Sequence, residues 1–144
     1  MLTEKDYCDY DTCVALKELG YKVPTSAYYI TNDTTLYFVS NPFRGGYAID
    51  CFYSHNSLRE GVVTSNYIDA PTMWEAQKWL REEKNIQIEI PISFMDNGVW
   101  KFGFRIQTPE FYDRAIGEWD SYEEALLEAI KEAIKILKEK ENGN

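Results

Sequence analysis

Three cysteines and a single histidine are the side chains of this chain best suited to bind zinc. They form two pairs, Cys8-x4-Cys13 and Cys51-x3-His55, whose thiolates and imidazole together could complete a structural zinc site. The competing interpretation is that the cysteines are small apolar core side chains. Cys13 has the spacing of a helix core position, and Cys51 alternates with apolar residues along a predicted strand. We favour the core interpretation and predict neither a metal ion nor a cofactor.

His55 could also act as a general base for a serine or cysteine nucleophile. It lies in the sequence His55-Asn56-Ser57, which is an ordinary polar loop, and the pattern of residues does not select it as a base. We therefore predict no catalytic residue. A small enzyme with a site around His55 remains an alternative.

Four side chains are candidates for contact with a ligand or partner. Arg44 precedes two glycines in a predicted loop, where its guanidinium and the neighbouring backbone amides could contact an anion. Trp74 and Trp79 share one predicted helix, which cannot bury both rings beside its other apolar residues unless its apolar face is wide. An exposed Trp is typical of interface hot spots. Together with His55, these three residues are the predicted contact residues.

The size, charge and composition of the chain indicate its domain number, its compartment and the classes of partner that it can bind. The chain has 144 residues, a net charge of −9 and 15% aromatic residues. Its size predicts a single domain over residues 1–144, with an ordered core from about 11 to 140. The acidic balance opposes binding to nucleic acid or to an anionic membrane. No stretch reaches the roughly 18 apolar residues that span a bilayer, and the first residues lack a signal peptide pattern. With few cysteines, odd in number, we expect a cytoplasmic protein.

The first half of the chain predicts one helix and three strands. The helix runs over 12–19, with Asp11 or Thr12 as its cap and Gly20 as its stop. A hairpin follows over 26–40, with its turn at residues 32–34. A third strand over 47–54 alternates apolar and polar residues.

The second half predicts a helix, a hairpin and a long helix. Capping boxes open the two helices at Thr72 and at Ser121, and the first helix should end near Lys84. Between them, the apolar residues of 86–94 and 100–106 are expected to share one dry face across a turn at 96–98, with Pro91 marking an edge or a bulge. The predicted fold is α+β, an antiparallel sheet with helices packed on one face, in the order α-β-β-β-α-β-β-α. Whether the two hairpin-and-helix units form a true repeat stays open.

The segment 68–82, with its capped helix opening at Ala70-Pro71-Thr72, resembles small uncharacterised proteins of gut Bacteroidetes and their phages. The likeness extends over roughly residues 68–140 through an Ile-rich hairpin and the Ser121-Tyr122-Glu123-Glu124-Ala125 helix start. It implies a bacterial or phage origin and no particular activity. Residues 100–134 have a weaker resemblance to HicB-type antitoxins, in the way that a hairpin leads into a helix. The chain lacks that family's Gly-rich strand turn.

The leading functional hypothesis is a small non-enzymatic binding or regulatory protein, because aromatic residues are in surplus and no catalytic pattern appears. Its partner is expected to be another protein or a second copy of the chain. A narrower alternative, implied by the phage resemblance, is an inhibitor or nucleotide-binding sponge that acts against host defence.

Overall fold

The computed structural model describes residues 2–31, 33–38 and 67–143. These residues fall into two compact units, Met1–Thr72 (unit 1) and Met73–Asn144 (unit 2), each of which is described by itself. The predicted α+β class is confirmed, since helices accompany two small antiparallel sheets rather than the one sheet expected. The single-domain prediction stays a prediction. Arg44, Cys51, His55 and the predicted strand over 47–54 lie outside the described residues.

Unit 1 contains a short 3-10 helix at Glu4–Asp6, helix α1 at Tyr10–Glu18, and strands β1 (Ala27–Ile30), β2 (Asp33–Phe38) and β3 (Tyr67–Asp69). The three strands form an antiparallel sheet in the order β2-β1-β3. Its core includes both cysteines that the structure describes, since Cys8 and Cys13 are buried. The prediction of a core cysteine is therefore confirmed for Cys13, and Cys8 is buried as well.

Helix α1 begins two residues earlier than predicted. Asp9 is its N-cap, and the Asp9 Oδ1 atom accepts a hydrogen bond from the Thr12 backbone N–H at 3.0 Å. The predicted caps, Asp11 and Thr12, lie inside the helix instead. Gly20 ends the helix as predicted, because its φ of +102° is a conformation that side-chain-bearing residues rarely adopt.

Unit 2 contains helix α2 (Met73–Lys84), strands β4 (Gln87–Glu89), β5 (Ile92–Asp96), β6 (Val99–Thr108) and β7 (Phe111–Trp119), and helix α3 (Tyr122–Asn142). The long strand β6 is central, with β4 and β5 along one edge and β7 along the other. The predicted end of α2 at Lys84 is confirmed. Strand β7 was not predicted, and the single strand expected over 86–94 is divided into β4 and β5, so the predicted order has two strands fewer than this unit.

Pro91 separates β4 from β5, as its lack of a backbone N–H requires. The Gly103 N–H bonds the Pro91 carbonyl at 3.0 Å, and the register of β5 against β6 shifts by one residue after Ile92. Ile92 consequently lies opposite Phe102, whereas Phe94 lies opposite Lys101. The prediction that Phe94 shares the dry face with Ile92 is therefore wrong, because the bulge turns Phe94 to the other side of the sheet.

Helix α3 packs on the sheet through an apolar stripe. Its N-cap is Ser121, whose Oγ atom accepts a hydrogen bond from the Glu124 N–H at 3.1 Å. The Glu124 carboxylate reaches back to the Asp120 N–H at 3.2 Å. The fully buried positions recur every three to four residues, as an amphipathic helix requires. They are Ala125, Leu126, Ala129, Ile130, Ala133 and Ile134.

Ser121→Ala is expected to lower the free energy of unfolding of unit 2 by about 1 kcal/mol, because the Glu124 N–H loses its partner. Urea denaturation followed by circular dichroism measures the change. Ser121→Asp is the matched control, since a carboxylate caps as well as a hydroxyl and should keep the stability of the original chain. Equal losses in both variants would show that the cap does not stabilise α3.

Candidate functional site

The most unusual surface of the described residues is an apolar patch on the hairpin formed by β5 and the start of β6. Five large apolar side chains there are each between 41% and 55% exposed. They make up most of the large apolar side chains that the described residues expose. We call this patch the apolar hairpin; its members are Ile92, Phe94, Met95, Val99 and Trp100. Scattered exposed apolar residues are ordinary, but a contiguous group marks a site of interaction.

The apolar hairpin extends past the end of its sheet. The last pair between β6 and β7 joins Phe102 to Trp119, whereas β6 begins at Val99. Within the described part of the chain, residues 99–101 therefore pair with β5 alone. The turn at the tip is the predicted one, since Asn97 and Gly98 have φ angles of 50° and 79°. Two successive positive φ angles are typical of the tight turn that closes a two-residue hairpin.

One face of the apolar hairpin continues the core face of the sheet. Alternation along β6 places Trp100 on the same side as Phe104 and Ile106, which are buried. Met95 lies directly opposite Trp100 across the strand pair. The first residue of α3, Tyr122, contacts the Phe102 ring edge-on, with ring centroids 6.3 Å apart. On the same face, the next pair toward the tip is Trp100 and Met95. The core face of the sheet therefore continues beyond the point where α3 begins.

The other face of the apolar hairpin carries Phe94 and Val99, and Lys101 lies on this face directly opposite Phe94. The Lys101 ammonium donates to the Asp120 carboxylate at the end of β7. Between Ile92 and Lys101 the chain has one acidic residue, Asp96, and one basic residue, Lys101. This segment is electrically balanced, although the whole chain has a net charge of −9.

The four predicted contact residues fall in different places. Trp74 is 38% exposed on α2, whereas Trp79 is only 8% exposed and its ring lies beneath the Lys84 ammonium, 5.4 Å from the ring centroid. Trp79 thus presents little surface to a partner, and Trp74 is the exposed member of the pair. Arg44 and His55 lie outside the described residues, so contact through them stays a prediction.

Sequence reasoning missed the apolar hairpin, because Ile92, Phe94 and Trp100 were expected in the dry interior. A signal was nevertheless present. The turn is flanked by two adjacent apolar pairs, Phe94-Met95 and Val99-Trp100. Neighbouring residues of a strand point to opposite faces, so a sheet with one dry face cannot bury both members of such a pair.

Unit 1 holds the most perturbed ionisable groups of the described residues. Burial raises the pKa of the Cys13 thiol far above its ordinary value, with smaller contributions from the negative charges of Cys8 and Asp9. Burial likewise raises the pKa of the Tyr29 hydroxyl, which donates a hydrogen bond to the Cys8 carbonyl at 3.0 Å. A thiol reacts as its thiolate, so a buried neutral Cys13 is a structural side chain and a poor nucleophile.

Asp69, at the end of β3, is linked to Thr25. Burial raises the pKa of the Asp69 carboxyl to about 6, while Thr25 and the charge of Lys17 act in the opposite direction. The Thr25 Oγ1 atom lies 2.7 Å from the Ala27 carbonyl and 3.3 Å from Asp69 Oδ1. The arrangement connects the segment before β1 to β3, which is a structural role.

Among residues 2–31, 33–38 and 67–143, no group of three or more His, Cys, Asp or Glu side chains is placed to hold a metal ion. Within the same residues, the helices are too short or too polar to cross a bilayer.

Comparisons of the chain with protein-family models, with curated proteins and with solved structures found no match. The likenesses to small proteins of gut Bacteroidetes and their phages and to HicB-type antitoxins therefore stay predictions.

Proposed function

We propose that this chain is a non-enzymatic protein-binding module whose contact surface is the apolar hairpin of unit 2. The observation that carries the proposal is the grouping of five half-exposed large apolar side chains on a hairpin that projects past its sheet. Exposing such side chains to water is unfavourable, and covering them with a partner recovers that free energy.

The size and composition of the surface fit this role. The five half-exposed side chains together present about 500 Å² of apolar surface, of which about 300 Å² lies on the face of Ile92, Met95 and Trp100 and the rest on the face of Phe94 and Val99. The larger face alone reaches the lower end of the range of about 300–600 Å² for the largest patch on a monomer, and such patches are often functional. Trp, Phe and Met are enriched at the centres of protein interfaces. The apolar hairpin contains one of each, within seven residues of chain.

The buried Cys13 thiol and Tyr29 hydroxyl of unit 1 are not suited to catalysis. The Cys13 thiol and the Tyr29 hydroxyl are held neutral by burial, and both engage the Cys8 carbonyl. A catalytic nucleophile or base needs a pKa near the working pH and access to a substrate. These groups have neither property. They serve the packing of α1 against the sheet.

Trp100→Ser is expected to weaken binding of a protein partner by about 30-fold or more, as loss of a hot-spot Trp costs at least about 2 kcal/mol. To identify the partner, a photo-reactive benzoylphenylalanine is placed at position 100 in the cells that naturally make the chain. The crosslinked protein is then purified and titrated against the original chain and the variant. Trp74→Ser, on the exposed face of α2, is the matched control and should change the affinity less than about threefold.

A second photo-reactive position, at Gln107 on the wet face of β6, tests whether crosslinking is specific. Adducts at position 100 but not at 107 support the apolar hairpin as the contact surface. If Trp74→Ser weakens binding and Trp100→Ser does not, the contact surface lies on α2 and the proposal is wrong. Circular dichroism of each variant confirms that it is folded.

A further inference from the structure

We propose that the partner of the apolar hairpin is a second copy of this chain, and that β5 of each copy pairs antiparallel with β5 of the other. This inference rests on the proposed function and names its partner. The four-stranded sheets of unit 2 in the two copies would thereby join into one continuous sheet, with the two apolar hairpins in contact.

The open edge of β5 is the first reason. Strand β5 is hydrogen-bonded to β6 on one side, and its other side has no strand partner among the described residues. Proteins usually protect such an edge with charged residues, Pro or a bulge. In β5 these features lie at the two ends of the strand, Pro91 and the bulge after Ile92 at its start and Asp96 at its finish, and none of them falls on Phe94 or Met95. An open edge with exposed apolar side chains is a template for another strand.

Symmetry is the second reason. Antiparallel pairing of two identical strands creates a two-fold interface, in which each copy offers the same patch to the other. Every residue of β5 then finds a counterpart in the same strand of the second copy, and a pairing centred on Phe94 places the two Phe94 side chains next to each other. A single short strand therefore suffices, and no separate complementary surface is needed.

Charge is the third reason. Two copies with a net charge of −9 each repel one another over most of their surface. The segment 92–101 is balanced by Asp96 and Lys101, so contact there brings the least like charge together. The remaining repulsion is between more distant groups and is screened by salt, since the Debye length falls below about 10 Å above 0.1 M. Self-association should accordingly strengthen as salt is raised.

The size of the apolar hairpin limits the area that a dimer can bury. About 500 Å² of exposed side chain on each copy gives a total of at most about 1,000 Å², which is the lower limit for a specific interface. A dimer of this size is weak, with a dissociation constant of about 10–100 µM. The chain is therefore expected to be monomeric when dilute and dimeric when concentrated.

Sedimentation equilibrium of the full chain, from about 1 µM to about 200 µM, tests this inference. Val99→Lys places a cation in the apolar hairpin and should weaken dimerisation at least tenfold. Val23→Lys is the matched control, because Val23 is 44% exposed in unit 1 and Val99 is 49% exposed in unit 2. The control adds the same charge to the chain and should leave the dimer unchanged or slightly stronger.

The outcomes separate this inference from the proposed function. A concentration-dependent dimer that Val99→Lys weakens and Val23→Lys does not weaken supports pairing through the apolar hairpin. A chain that stays monomeric throughout, or a dimer that Val99→Lys leaves intact, overturns the inference. In the monomeric case, adducts between position 100 and a different protein would still support the proposed function, and the absence of any adduct would overturn that as well.

Discussion

Ile106→Ala is expected to lower the free energy of unfolding of unit 2 by about 3–4 kcal/mol, whereas Ile92→Ala should lower it by less than about 1 kcal/mol. The two residues have the same side chain and lie in the same four-stranded sheet. Ile106 is fully buried beneath α3, and Ile92 is 55% exposed on the apolar hairpin. Removing the buried side chain leaves a cavity, and removing the exposed one leaves solvent in its place.

Urea denaturation monitored by circular dichroism measures both losses, and an unchanged slope against urea shows that the comparison is one of stability. The ratio of the two losses reports how far the core extends along the sheet. If Ile92→Ala costs as much as Ile106→Ala, the hairpin side chains are buried in solution. The apolar hairpin would then be part of the core and would offer no contact surface.

Asp69→Asn is expected to stabilise unit 1 by about 2 kcal/mol at pH 7 and to change its stability little at pH 4. Burial raises the pKa of Asp69 from 3.8 to about 6, so the folded chain binds the proton more tightly than the unfolded chain. The stability that this proton contributes is complete below pH 4 and is lost as the pH rises through 6. A pKa shift of this size corresponds to a change of about 3 kcal/mol in the free energy of unfolding. The expected effect is smaller, about 2 kcal/mol, because the carboxyl retains some contact with water.

The hydrogen bonds around Thr25 offset the burial of Asp69 only in part. The Thr25 hydroxyl makes its shorter contact, 2.7 Å, with the Ala27 carbonyl, and its contact with Asp69 Oδ1 is longer, at 3.3 Å. Donation from Thr25 favours the carboxylate, but burial is the larger effect on the pKa of Asp69. The amide oxygen of Asn can accept the same hydrogen bond at every pH without a buried charge.

The measurement is the difference in the free energy of unfolding between Asp69→Asn and the original chain, at pH values from 4 to 8. Taking the difference removes the titration of all other carboxylates. Asp11→Asn, on the exposed side of α1, is the matched control and should shift stability by only about 0.3 kcal/mol at all pH values. A difference that stays flat across this range, or that favours the carboxylate at pH 7, would contradict the raised pKa.

Local signals predicted the helices of unit 2 well. Helix α3 begins where Ser121 and Glu124 form a cap, and α2 ends at Lys84 as expected, because capping is decided by residues within one turn. Helix α1 was harder, since four acidic residues precede or open it and each can cap. The cap that is used, Asp9, differs from the two predicted ones.

Strand pairing was less predictable, since a period of two indicates which face a residue occupies and not how far a helix covers that face. Strand β7 was missed because its alternation is interrupted at Gly117, where the Trp119 ring lies against the backbone. The apolar hairpin was missed for a related reason. Trp100 continues the pattern of Phe102 and Phe104, and only the position of Tyr122 at the start of α3 shows that the cover ends there.

Amide hydrogen exchange of the full chain, compared at about 1 µM and about 200 µM, tests the central claim most directly. At the higher concentration we expect slower exchange in β5, where backbone groups at the open edge gain partners. Exchange in residues 105–107, which are already paired with β4 on one side and with β7 on the other, should not change. Equal exchange rates in β5 at both concentrations, or slowing confined to α2 around Trp74, would contradict the apolar hairpin as the surface through which this chain binds its copy.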